Sequence, residues 1–234
     1  MMMRKQIIII LITLIFIIIV LSGCTQQNSS DDTLSSDKSE SKTNPPTTET
    51  IQTILSKTEA IGSMYYEIDA SIHMSEFGTQ TATIKIWQKS PYLKEQITSV
   101  TDGITTSITV IQRPEGIYMY NPEIGNYIEA TEEAASIATS LQYFDSAIIK
   151  NYINNQTSTN FETETIDGKK ATIIQYTPLQ GENPMKIKIW IWNDQGVPLK
   201  AFIDMTMEDT TMTMDFKFSN YSFLDIPDST FSVS

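Results

Sequence analysis

The stretch MKIKIWIWNDQGVPLKAFIDMTM, residues 185–207, decides the fold. In its first eight residues Met185, Ile187, Ile189 and Ile191 alternate with Lys186, Lys188, Trp190 and Trp192. Successive side chains of a strand point to opposite faces, so a period of two reads as a half-buried strand. Gln195-Gly196 supplies a turn. Leu199, Ala201, Ile203, Met205 and Met207 then alternate with Lys200, Phe202, Asp204 and Thr206. After Glu208-Asp209 the pattern repeats once more: Met212, Met214, Phe216 and Phe218 oppose Thr211, Thr213, Asp215 and Lys217. Three antiparallel strands therefore share one continuous apolar face that must be covered, and a mixed face that meets water. Trp190 and Trp192 fall on the mixed face, where they either cover a second, smaller cluster, the favoured expectation, or form a partner surface.

The same alternation extends upstream. Met64, Tyr66, Ile68, Ala70, Ile72 and Met74 share one side of a long strand, and Ala82, Ile84 and Ile86 point inward from the next. Leu93 to Val100, Ile104 to Gln112 and Ile117 to Asn121 continue a meander punctuated by Asp102-Gly103 and Pro114-Glu115-Gly116. Phe161 to Ile166 and Ala171 to Thr177 resume it before residue 185, turning at Asp167-Gly168. Two segments follow the helical period instead. Ile51, Ile54, Leu55, Thr58 and Ile61 form a stripe, with Thr50 as cap and Gly62 as stop. Thr131 to Tyr152 opens on Glu132 and Glu133, which suit a helix N-terminus, and carries Ala134, Ile137, Ala138, Leu141, Phe144, Ile148 and Tyr152 on one side. The expected order is a helix, about five strands, a helical segment and about five more strands. The helices are the covers for the apolar face.

The N-terminal residues carry an address. Arg4 and Lys5 precede an uncharged run from Ile7 to Leu21, and Leu21-Ser22-Gly23 leads into Cys24, the only cysteine. That is the layout of an export signal. The run is shorter than the roughly 20 apolar residues a spanning helix needs. The Leu-Ser-Gly-Cys ending resembles the lipobox of secreted lipoproteins, which implies cleavage after residue 23 and a diacylglycerol on the Cys24 thiol. Two acyl chains suffice for stable anchoring on the extracytoplasmic face of a cell membrane. Residues 24–50 are polar, with Pro45 and Pro46, and bury too little to offset their ordering entropy. They read as a tether reaching roughly 25–30 Å. Residues 51–234 suit one domain. Asn28, Asn155 and Asn220 lie in glycosylation sequons that matter only in a host that modifies exported chains.

The formal charge of −12 becomes more negative once Arg4 and Lys5 are removed, which opposes nucleic-acid binding. His73 is the only histidine and has no acid at metal-ligand spacing, so it reads as a surface residue. No serine stands in a nucleophile elbow and no glycine-rich phosphate loop is present. The adjacent Glu132 and Glu133 point apart on a helix and make no catalytic pair. Neither an enzyme, a metal site nor a cofactor is expected.

Three stretches, together with the chain's ending, resemble the LolA-like superfamily of lipoprotein carriers, lipid-binding lipoproteins and sensor domains. Residues 87–94, WQKSPYLK, look like a strand ending at a proline before a basic residue opens the next. Residues 116–123, GIYMYNPE, look like the aromatic strand and turn before the helical segment. Residues 190–200, WIWNDQGVPLK, resemble the family's strand, glycine–apolar–proline turn and return strand, and residues 221–231 its close. Trp192 departs from the pattern, where many members have an aspartate. The resemblance covers about residues 51–234 and implies an α+β fold. In it, an incomplete antiparallel β-barrel of about ten to eleven strands wraps an N-terminal helix and a central helical segment.

An apolar cavity for a lipid or other hydrophobic small molecule follows from that resemblance. Its expected lining is Ile187, Ile189, Ile191, Ile203, Met205, Met207, Met212, Met214 and Phe216 from the sheet, with Ile137, Leu141 and Phe144 from the helical segment. Methionine re-packs around irregular guests, yet the same alternation also describes a filled core. The alternative expectation is a non-catalytic sensor or interaction module with an envelope protein partner.

Overall fold

The computed structural model describes residues 49–75, 78–101, 103–130, 144, 146–154, 161–177, 185–207 and 210–233. Among these, eleven strands form one antiparallel sheet. They are β1 (Ser63–Met74), β2 (Gly78–Lys89), β3 (Tyr92–Thr101), β4 (Ile104–Arg113), β5 (Gly116–Asn121) and β6 (Asn126–Glu129). After the helical segment come β7 (Glu162–Ile166), β8 (Lys169–Tyr176), β9 (Met185–Trp192), β10 (Pro198–Met207) and β11 (Thr210–Ser222). The spatial order is β6-β5-β4-β3-β2-β1-β11-β10-β9-β8-β7. Two meanders are thus joined where β1 pairs with β11, and the sheet is open between its edges β6 and β7. Six strands precede the helical segment rather than five. The extra one, β6, has only four residues and too short an alternation to read in sequence.

Register explains the core. Ile68 pairs with Phe218 on one side and Ile84 on the other, and Ile84 continues to Ile97 and Ile108. A second row runs Ala70, Phe216, Ala201, Ile189 and Ile174, and a third Ile72, Met214, Ile203, Ile187 and Tyr176. Such cross-strand neighbours lie within contact distance, so each row is a ready-made strip of core. Helix α1 (Ile51–Ser56) covers part of it, burying Ile51, Ile54 and Leu55. Thr50 caps it by accepting from the Thr53 amide at 3.2 Å. The chain then tightens into a 3₁₀ turn, Lys57–Ala60, so the α-helix is shorter than its apolar stripe. Helix α2 (Ser146–Asn154) adds Ile149 and Ile153 to the same cluster. The earlier part of the expected helix, residues 131–143, lies outside the described residues, as do Cys24, the expected anchor, and residues 24–48 of the expected tether.

The mixed face carries two smaller clusters. Trp190 joins Ala171, Ile173 and Leu199, with Trp192 and Phe202 half-buried beside them, as the parity of the tryptophans led one to expect. Leu199 itself contradicts its parity, which put it on the same face as Ala201. Pro198 faces Ile191 and Lys200 faces Trp190, so Leu199 is an extra, bulged residue turned toward the tryptophans. At the far end, Phe231 in the C-terminal 3₁₀ turn stacks on Tyr92 at 5.5 Å and closes over Ile111. Lys89 pins this tail through Asp225 at 3.1 Å and Asp228 at 2.8 Å.

Candidate functional site

Sequence reasoning placed the cavity among the isoleucines and methionines of β9 to β11. There Ile187, Ile189, Ile191, Ile203, Met205, Met212, Met214 and Phe216 pack with Phe144 in one buried cluster. Phe144 meets Phe216 edge-on at 4.9 Å and Phe218 at 5.2 Å. Ile137, Leu141 and the Met207 side chain lie outside what the structure describes.

A cavity of about 430 Å³ opens beside this cluster, at the start of α2. Of the expected lining residues that are described, only Phe144 borders it. The other walls come from the entry to β1 (Ile61, Ser63, Met64 and Tyr66) and from Ile86 and Gln88 of β2. Ser90 and the β3 residues Leu93 and Glu95 add a third side, and Thr58, Gly62, Ser146, Ile148, Gly196, Val197, Pro198 and Tyr221 make up the rest of the described lining. The elements meet here for identifiable reasons. Thr58 Oγ1 and Ser146 Oγ are 2.7 Å apart, and Lys150 pairs with Glu59, so the 3₁₀ turn and α2 are fastened together. The turn between β9 and β10 closes on Trp192, whose carbonyl accepts from the Gly196 amide at 2.8 Å. Lys57 donates to the Asn193 carbonyl from the other side, and buried Asn193 accepts from Thr172 at 2.9 Å. Trp192, the departure from the family pattern, donates its indole N–H to Asp194 at 3.3 Å and lies under Lys169 at 4.7 Å.

Tyr221 links the clusters. A bulge between β1 and β11, with Asn220 in the left-handed region at φ 54°, turns Tyr221 inward. It stacks on Tyr66 at 5.3 Å and donates its hydroxyl to the Pro198 carbonyl. Burial raises its phenol well above the usual range.

Glu95 is the residue sequence reasoning missed. It pairs with Ile86 and Val110, in a row running from Tyr66 to Met119 and Ile128, and is only 3% exposed. Its Oε2 has no hydrogen-bond partner among the described residues. Burial alone pushes its carboxyl up to about 8. The signal was present: Leu93, Glu95 and Ile97 share one parity, and an acid between two inward residues of a strand has no water to meet.

A second hollow, of about 390 Å³, lies over β1, β2 and β11, edged by Asp69, Thr81, Lys200, Asp215 and Lys217. Most of these side chains belong to the wetted face, although the surface exposed within the hollow is mainly apolar. Exposed His73 rests on Thr79 at 3.0 Å. Among the described residues, no three His, Cys, Asp or Glu side chains converge as a metal site would require.

No protein-family model and no curated protein matches the chain. Among solved structures, it is similar to MucB of the Pseudomonas aeruginosa MucA/MucB complex. That match has 14% identity and a TM-score of 0.44, covering 79% of this chain and 61% of that one. A structure of MucB in complex with MucA(peri) matches at 13% identity and a TM-score of 0.43, covering 79% and 58%. The LolA superfamily protein NE2245 from Nitrosomonas europaea matches at 11% identity and a TM-score of 0.38, covering 78% and 97%; it is named for the superfamily whose motifs this sequence resembles.

Proposed function

We propose that this protein is an extracytoplasmic lipoprotein, anchored through acylated Cys24, that binds a lipid or other hydrophobic ligand beside α2. In this reading the open sheet curves as an incomplete barrel around α1 and the helical segment. The observation that carries it is the cavity of about 430 Å³, walled by Ile61, Met64, Ile86, Leu93, Phe144 and Ile148. Small-molecule sites are usually concave, largely apolar and of roughly 300–1,000 Å³. Burying an acyl chain there contributes about 25 cal/mol per Å² and needs no reacting group. A tether of roughly 25–30 Å suits local transfer or sequestration better than long-range carriage.

Native mass spectrometry of the full chain, isolated from the membrane of its host, tests this reading. The expected spectrum shows a diacylglycerol-modified N-terminus and a retained hydrophobic guest, and a fluorescent fatty acid shows saturable uptake. An empty protein without saturable uptake overturns the ligand-binding proposal. A reproducible protein partner on the empty chain turns the reading toward an envelope sensor or interaction module.

A further inference from the structure

We propose that the cavity selects amphiphiles bearing a protonated amine, which Glu95 receives as its counter-ion. This rests on the ligand-binding reading above and gives it a chemical class. Glu95 is the only charged side chain lining the cavity among the described residues. Its Oε2 is buried and unpartnered there. A buried polar atom left unmatched is costly, and the cost is removed by a ligand group that meets it.

The surroundings favour a cation over a neutral donor. On the flanking strands Glu95 faces Ile86 and Val110, neither of which can answer it. The other groups lining the space are the phenols of Tyr66 and Tyr221, the hydroxyls of Thr58, Ser63, Ser90 and Ser146, and the Gln88 amide. Those of Thr58, Ser63 and Tyr221 already donate elsewhere or share a hydrogen bond. Arg113 belongs to the opposite face of β4 by parity, with Ile111, and pairs with Glu115 at 2.6 Å. Among the described residues, no basic side chain lines the cavity to compete for Glu95. A charge-assisted bond to a carboxylate is roughly twice as strong as a neutral one. A chain of net charge −12 also concentrates cations near its openings. The apolar wall then takes the tail: an alkyl chain lies along Leu93, Ile86 and Phe144 with its ammonium on Glu95.

Binding carries a proton signature. The empty site holds Glu95 protonated near neutral pH, so an incoming ammonium displaces one proton into solvent. Affinity for an amine therefore rises about tenfold per pH unit below the Glu95 pKa of about 8 and levels off above it. A neutral alcohol of equal length shows no such dependence.

The test uses the full chain in lipid nanodiscs, with empty nanodiscs as the partition blank, and calorimetric titration of octylamine, octan-1-ol and octanoic acid. At about pH 8.5 octylamine is expected to bind at least about tenfold tighter than octan-1-ol, and octanoic acid weakest. Glu95→Gln is expected to abolish the preference for the amine, bringing octylamine to the affinity of octan-1-ol in the same variant. Equal amine and alcohol affinities in the wild type, or a preference that survives Glu95→Gln, overturn amine selection and leave the hydrophobic site standing. Absence of binding by all three probes overturns the ligand-binding reading itself. Should Glu95→Gln not fold, the wild-type pH profile decides: a flat octylamine affinity from pH 6 to about 8 refutes the pairing.

Discussion

Gly196 and Ile54 meet backbone to backbone: a Cβ on Gly196 would lie 2.3 Å from the Ile54 carbonyl oxygen. The β9–β10 turn is thereby pressed onto α1, with nothing but hydrogen at the contact. Gly196 also has φ +74°, where a side chain is strained in its own right.

Gly196→Ala is therefore expected to lower stability by about 2–4 kcal/mol, from left-handed strain and forced separation of turn and helix. Gly168→Ala separates the two terms. Its φ is +77° but nothing lies within 4 Å of the added Cβ, so only about 1 kcal/mol is lost. Urea midpoints of the two variants check the difference. Equal losses would mean that α1 does not hold the turn.

Glu95 makes stability fall as pH rises. Its folded pKa, about 8, lies above the ordinary carboxylate value of 4.5, so between those limits the folded state holds more protons than the unfolded one. The neutral carboxyl's advantage is fully present below about pH 4.5. It is lost at up to about 1.4 kcal/mol per pH unit as pH rises toward 8, and the slope ends there. Glu95→Gln keeps the shape and cannot ionise. The variant is expected to match the wild type near pH 5 and to be several kcal/mol more stable at about pH 9. Thermal melts across that range decide it; parallel curves would place the Glu95 carboxyl in water.

What could be read from the sequence, and what could not, follows from the reach of each signal. Ile187, Ile189, Ile203 and Met214 were assigned to the covered face because alternation is a local property and their strands are long. Leu199 was misassigned because one extra residue reverses parity, and a bulge depends on the partner strand. The cavity escaped for a related reason. Its walls come from the ends of β1, β2 and β3, the start of α2 and a distant turn, which only the register brings together. Glu95 breaks the inward pattern of Leu93 and Ile97, but a single acid in a strand does not by itself say whether its row is covered; the pairing with Ile86 and Val110 does.

Trp190 organises the opposite face. Its indole N–H donates to Glu164 at 2.7 Å, while Lys188 and Lys200 lie 4.8 and 5.0 Å from its ring. Trp190→Ala is expected to cost about 3–5 kcal/mol through lost packing against Ala171, Ile173 and Leu199. Trp190→Phe should cost about 1 kcal/mol beyond its packing change, because exposed Glu164 regains water. Lys188→Ala and Lys200→Ala should each cost less than about 1 kcal/mol. Denaturant melts following tryptophan fluorescence in the lysine variants give the ordering. A lysine variant as damaging as Trp190→Ala would show that charge, not packing, holds this face.

Cys24→Ser bears on the anchor in a way that simple membrane fractionation does not. If the thiol accepts the diacylglycerol, its loss blocks lipidation and the cleavage that follows. The unprocessed variant then keeps residues 1–23, whose apolar run still holds it at the membrane. Both proteins are expected in the membrane fraction, and they differ in mass. The wild type lacks residues 1–23 and carries the lipid; the variant retains those residues and carries none. Labelled palmitate is expected on the wild type alone. Identical intact masses for the two, apart from the substituted atom, would mean that the run from Ile7 to Leu21 anchors the chain uncleaved and that Cys24 carries no acyl group.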